Sequence, residues 1–274
     1  MALWSRPRPT ARPALFLWRQ SRPVPSNRPM FDLTLDGPIA RLRLDRVEAR
    51  NAVAVGEWAE LAKACGEAEA AGSRLLVLGG SREAFCAGAD LSDFPALSGD
   101  PEAATSFRKA MRAGLDALRD LPLATIAAIE GPCYGAGVAL AMACDIRVAG
   151  EGARFAITPA KFGISYPQED VARLVALVGP GQASRLLLGA GSIDSAEAAR
   201  IGLVQLCPED VGVAVDALAG AILPNSGESV ALLKRAIRLA AEGAVRDEGQ
   251  DRSFDALFGS PDFRDRLAAL RPRR

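Results

Sequence analysis

The chain of 274 residues contains no histidine. That absence excludes Ser-His and Cys-His nucleophilic catalysis and removes the commonest zinc ligand. Its cysteines, Cys65, Cys86, Cys133, Cys144 and Cys207, form no C-x-x-C pair. An odd set without that spacing argues against a cysteine-held metal, so no metal site is expected; it suits free thiols in a reducing compartment, and a cytoplasmic location. No apolar run reaches the ~18 residues of a membrane span. Nucleotide fingerprints are missing too: Gly131-x-x-x-Gly135-x-Gly137 does not have the G-x-G-x-x-G spacing, and no G-K-[ST] occurs. Acids are absent from residues 1–29, which hold six of the 33 basic residues, so the remainder is acidic by six. An acidic body argues against nucleic acid as a partner, because phosphate contacts need clustered Lys and Arg.

What is present reads as a globular chain, 49% hydrophobic and 24% charged. Residues 1–29 are rich in Arg-Pro pairs, and proline at that density blocks a regular helix. They read as an unstructured extension, or as a start read too early with Met30 as the true beginning. An organelle transit peptide is the disfavoured alternative, because it needs an amphipathic helix.

From Met30 the pattern becomes regular. Phe31–Leu35 and Ile39–Leu44 alternate apolar and polar residues around Asp36-Gly37-Pro38, which predicts a β-hairpin. Val55 to Ala71 has helical spacing and stops at Gly72. The unbroken apolar run Leu75–Leu78 predicts a strand buried on both faces. Helix is expected over 101–119, strand over 124–129, helix over 135–143 and strand over 145–149. Helices follow at about 169–178, 181–188, 194–201, 208–222, 227–242, 244–258 and 261–269. The alternation implies an α/β fold with a mostly parallel sheet and an all-helical end.

Two segments carry chemistry. In Ala84-Phe85-Cys86-Ala87-Gly88-Ala89-Asp90-Leu91 the small residues let a ligand approach the backbone, and Asp90 can cap a short helix. In Glu130-Gly131-Pro132-Cys133-Tyr134-Gly135-Ala136-Gly137 a strand ends and a helix begins, leaving unpaired N–H groups at the positive end of the helix dipole. Close packing alone would also call for small residues at both places. Cys86 and Cys133 have no His or Lys nearby in sequence to activate them and read as core fillers.

Together with Arg50-Asn51-Ala52, Leu140-Ala141-Met142-Ala143-Cys144-Asp145 and the tail Phe254–Arg264, these segments resemble the crotonase (enoyl-CoA hydratase/isomerase) superfamily over about residues 30–270. The resemblance implies a crotonase-like spiral of ββα units over 30–225. It also implies a C-terminal helical region over 226–274 that assembles a homotrimer, often doubled to a homohexamer. The implied substrate is an acyl-CoA thioester, with coenzyme A as part of the substrate and no separate cofactor. By motif match, the amides of Ala89 and Ala136 form an oxyanion hole around the thioester oxygen. Ala49, Ala87, Gly88, Asp90 and Leu91, with Tyr134, Gly135, Ala139 and Pro159, are the implied substrate-binding positions.

The chain departs from the family's hydratases at two places. Their two catalytic glutamates would fall at Ala139 and Pro159, and neither residue can move a proton. Paired carboxylates supply acid and base for hydration, each proton transfer contributing about 10²–10⁴-fold, so water addition is disfavoured. The segment Thr158–Tyr166 instead resembles the methylmalonyl-CoA decarboxylase branch. There, a tyrosine at the position of Tyr166 orients the substrate carboxylate; the residue also reads as a packed loop aromatic. Lys161 reads either as an attractor of a carboxylate or as a solvated surface lysine. Glu169 and Asp170 could replace the missing base, as an isomerase would require, or could simply stabilise a helix N-terminus. Decarboxylase- or isomerase-like chemistry is therefore expected, with enoyl-CoA hydration in fatty-acid metabolism, or acyl-CoA binding by a non-catalytic scaffold, as alternatives.

Overall fold

The computed structural model describes residues 29–270, so the expectation for the Arg/Pro-rich segment lies outside the described residues except at Pro29. β1 (Phe31–Asp36) and β2 (Ile39–Leu44) form the expected hairpin, with Phe31 opposite Leu44 and Asp36 opposite Ile39. Alternation places Ala40, Leu42 and Leu44 of β2 in the core. A short turn follows in which Arg50 and Asn51 both have positive φ (51° and 57°). Asn51 explains why the turn holds. Its buried side chain accepts from the Arg46 amide at 2.9 Å and donates to the Ala84 and Phe85 carbonyls at 2.9 and 3.2 Å. An asparagine tolerates the left-handed conformation while satisfying three backbone groups, two of them buried.

α1 (Trp58–Ala70) buries Trp58, Leu61, Cys65 and Ala68 and ends before Gly72, whose φ of 72° requires glycine there. Next come β3 (Leu75–Gly79), α2 (Phe94–Leu97), α3 (Pro101–Asp120), β4 (Ala124–Ile129), β5 (Pro132–Tyr134) and α4 (Ala136–Ala143). β6 (Ile146–Ala149), β7 (Arg154–Ala156) and α5 (Gln168–Gly189) follow, α5 breaking at Gly179 where φ is 74°. The chain then runs through β8 (Ile193–Asp194), α6 (Ser195–Arg200), α7 (Val211–Ile222), α8 (Gly227–Ala241), α9 (Glu248–Leu257) and α10 (Pro261–Ala269).

The larger sheet has the order β1-β2-β3-β4-β6, and every pairing in it except the hairpin is parallel. A smaller sheet, β5-β7-β8, stands beside it. β3 and β4 are buried throughout. Leu76, Leu78, Ala127 and Ile129 belong to the core that includes α1, α3 and α4, whereas Leu75, Val77, Ile126 and Ala128 pack with Val211, Val215 and Ala219 of α7. Burying each such Leu or Ile is worth about 1.5–3 kcal/mol, so the parallel layer is the rigid platform from whose strand ends the site is built.

α8 is pinned to that platform by Lys234, whose ammonium donates to the Leu123 carbonyl at 2.9 Å and pairs with Asp145 at 3.0 Å. Asp145 also accepts from the amide and hydroxyl of Thr125, which makes it a structural acid. No residue of α8, α9 or α10 is buried.

Candidate active site

The two small-residue turns come together, and backbone bonds hold them. The Cys86 amide donates to the Pro132 carbonyl at 3.1 Å and the Tyr134 amide to the Cys86 carbonyl at 2.9 Å. Glycine is required at the contact. Gly88 has φ 110°, and a methyl group on it would lie 2.9 Å from the Tyr134 oxygen and 3.5 Å from the Ala136 nitrogen. On Gly137 a methyl would lie only 2.4 Å from the Cys86 carbonyl oxygen. The first turn therefore rests directly on the start of α4.

Around the contact, most amides are already committed. Ala87 donates to Arg50 at 2.9 Å, Asp90 to Val53 at 2.9 Å and Gly135 to Ala156 at 2.8 Å. The amides of Ala89 and Ala136 have no acceptor among the described residues. Ala136 opens α4, so its N–H also lies at the positive end of the helix. Both alanines line a cavity of about 700 Å³. Two unpaired donors on residues that line one cavity from adjacent turns are suited to binding an oxygen that gains negative charge.

Of the other expected positions, Ala49, Ala87, Leu91, Tyr134, Pro159 and Tyr166 also lie on the cavity wall. Gly88, Asp90, Gly135, Ala139, Glu169 and Asp170 do not, each for a distinct reason. Gly88 and Gly135 lie in the turns themselves, both with positive φ (110° and 50°). Asp90 turns its carboxylate to the Ser92 amide at 2.9 Å and to Arg46 at 2.6 Å, and these bonds, led by those from Ser92, hold it below the usual carboxylate range. Ala139 is fully buried inside α4. Glu169 is exposed at the start of α5.

Asp170 stands off the cavity wall, in an ion-pair cluster of its own. It is fully buried, with Oδ1 2.9 Å from Arg112 and 3.5 Å from Arg173. Burial, including an Oδ2 that has no partner, pushes its carboxyl above the usual range against the pull of the two guanidiniums. Tyr166 packs against the core as well as lining the cavity. Its hydroxyl donates to the Gly135 carbonyl at 3.0 Å, so its proton is committed inside the protein. Cys86 and Cys133 are fully buried, and burial pushes the Cys86 thiol up to about 12 and the Cys133 thiol well above its usual value, which leaves both inert.

Phe94 of α2 and Phe107, Arg108 and Met111 of α3 carried no functional signal in the sequence. Phe94, Phe107 and Met111 form an apolar side of the wall, and Arg108, with Arg50 and Lys161, brings positive charge. Lys161 is exposed, as a solvated lysine would be, yet it stands on the wall. No Asp or Glu lines the cavity among the described residues, nor do those residues include a His/Cys/Asp/Glu cluster able to hold a metal ion. No described helix is long and apolar enough to cross a membrane.

Known proteins agree with this architecture. The family model for enoyl-CoA hydratase/isomerase matches residues 35–260. The short-chain-enoyl-CoA hydratase of Clostridium acetobutylicum is 30% identical over 247 residues, which cover 87% of this chain and 93% of that one. A Mycobacterium tuberculosis protein named "Probable enoyl-CoA hydratase echA6" is 32% identical over 235 residues, 85% of this chain and 92% of its own. Among solved structures, an enoyl-CoA hydratase/isomerase family protein from Hyphomonas neptunium superposes with a TM-score of 0.84 at 36% identity, covering 90% of this chain and 98% of that one. The mixed α/β layering, the paired small-residue turns and these matches make the chain an enzyme of the enoyl-CoA hydratase/isomerase family, with the crotonase fold.

Proposed function

We propose that this enzyme binds an acyl-CoA thioester with its carbonyl oxygen between the amides of Ala89 and Ala136, and that it decarboxylates a 2-carboxyacyl-CoA of the malonyl type. The observation that carries the reading is a cavity wall that includes the unpaired amides of Ala89 and Ala136 and three cationic side chains but, among the described residues, no carboxylate or imidazole. Loss of CO₂ needs no base. The bond between the α-carbon and the carboxylate breaks, its electron pair moves into the thioester carbonyl, and the enolate oxygen takes the charge. Each amide is worth roughly 3–4 kcal/mol to such an oxygen. Water entering by the open mouth then protonates the α-carbon. Lys161 and Arg108 supply the positive field that draws a carboxylate, or the phosphates of coenzyme A, to the mouth.

Double-bond isomerisation fits less well, because it needs a base and both acids proposed for that task stand outside the wall. Hydration is the second reading, favoured by the names of the relatives. Incubation with malonyl-CoA and methylmalonyl-CoA, following CO₂ and the shortened thioester, separates the two. Release of CO₂ supports decarboxylation; rapid hydration of crotonyl-CoA with no CO₂ released would overturn it.

The same reading includes assembly into a homotrimer or homohexamer in the cytoplasm. Free thiols suit that compartment. Support for assembly lies in α8–α10, where Leu233, Ile237 and Phe254 are 60, 70 and 61% exposed, an apolar surface a lone chain would leave wet. Sedimentation velocity is expected to give three or six chain masses; a monomer at micromolar concentration would contradict it.

A further inference from the structure

The peptide between Gly135 and Ala136 is one planar unit, with its carbonyl and its N–H on opposite edges. Whatever holds the Gly135 oxygen therefore aims the Ala136 amide. Gly135 has φ 50° and ψ −115°, and a glycine there leaves the plane free to rotate. Three donors hold it: the Val138 and Ala139 amides at 3.0 and 3.3 Å, which belong to the first turn of α4, and the Tyr166 hydroxyl at 3.0 Å, the one side-chain donor, which arrives from the segment before α5.

We propose that Tyr166 is a positioning residue: by donating to the Gly135 carbonyl, its hydroxyl fixes and polarises the one peptide unit whose N–H at Ala136 meets the thioester oxygen. A hydrogen bond to a carbonyl draws electron density onto that oxygen and strengthens the N–H at the other end of the same unit. The inference rests on Ala136 being an oxyanion donor. It also gives Tyr166 a role other than touching the substrate carboxylate, since its single proton is already spent. Burial, and then the negative charge of Asp170, raise the phenol well above its ordinary value, so the hydroxyl remains a neutral donor. Tyr166 packs against the core, and four residues further on Asp170 is clamped by Arg112 of α3, so the ring has a fixed seat.

The test is difference infrared spectroscopy of butyryl-CoA, ¹³C-labelled at the thioester carbonyl, bound to the full chain and to Tyr166→Phe. The wild-type protein is expected to shift the carbonyl band to lower frequency. Tyr166→Phe is expected to lose a large part of that shift while binding butyryl-CoA within about twofold, and to lower kcat about tenfold with KM little changed, the size expected for one neutral hydrogen bond. An undiminished shift in Tyr166→Phe overturns the inference and leaves the oxyanion reading intact. No shift in the wild type overturns the oxyanion reading, and this inference with it. Should Tyr166→Phe fail to fold, 3-fluorotyrosine placed at position 166 decides the matter. A more acidic phenol donates more strongly and must enlarge the shift; an equal or smaller shift contradicts the proposal.

Discussion

Gly137→Ala is expected to destroy turnover and to weaken the fold together. Alanine is normally the better helix residue by about 1 kcal/mol, and Gly137 has no unusual φ that would forbid it. The obstacle is the neighbouring turn, because the new methyl would lie 2.4 Å from the Cys86 carbonyl oxygen and 2.9 Å from the Cys86 Cβ. Both atoms belong to the turn that carries Ala89, so relief requires the two turns to separate. Overpacking of this kind costs about 1–3 kcal/mol. A displacement on the order of 1 Å at a catalytic pair costs about 100-fold in rate. Urea unfolding and kcat/KM check the two effects. Gly66→Ala is the control: Gly66 lies in α1, and a methyl there would meet nothing within 4 Å, so stability should hold or rise with activity unchanged. A Gly137→Ala enzyme as active as wild type would show that close approach of the turns is not what catalysis needs.

Crotonyl-CoA hydration is expected to run at least ~10⁴-fold below that of an enzyme with both carboxylates in place, since an acid and a base each contribute about 10²–10⁴. The bleaching of the enoyl-thioester absorbance measures it. The two positions where glutamates would fall are not equivalent. Pro159 is on the cavity wall, so Pro159→Glu places a carboxylate where it can meet water and should raise the hydration rate. Ala139 is fully buried within α4, so Ala139→Glu buries an unpaired charge and should cost several kcal/mol of stability. Fast hydration by the unaltered chain would mean that an unrecognised group moves the proton, and would end the decarboxylase reading.

Much of the platform was legible in the residues. Alternation gave away the hairpin, the run Leu75–Leu78 marked a strand buried on both faces, and glycine with alanine marked the turns. β5, β7 and β8 were not legible, because two or three residues are too few for any period to show. The contact between Gly88 and Ala136 could be expected only through family resemblance; small residues alone fit simple packing equally well. Phe107, Arg108 and Met111 look locally like any other residues of a helix, and their place on the wall depends on what α3 faces across the cavity. Glu169 and Asp170 were ambiguous for the same reason. Adjacent acids at a helix start suit catalysis or charge stabilisation, and what decides for Asp170 is Arg112, 58 residues earlier in the chain. The carbonyl that accepts the Tyr166 hydrogen bond is likewise 31 residues away, beyond any local pattern.

The central claim, that unpaired amides on two adjoining turns receive one thioester oxygen, is tested most directly by a crystal structure with butyryl-CoA bound. The account predicts that oxygen within about 2.7–3.1 Å of both the Ala89 and the Ala136 nitrogens. A thioester carbonyl that points elsewhere, or that meets only one of them, would contradict it.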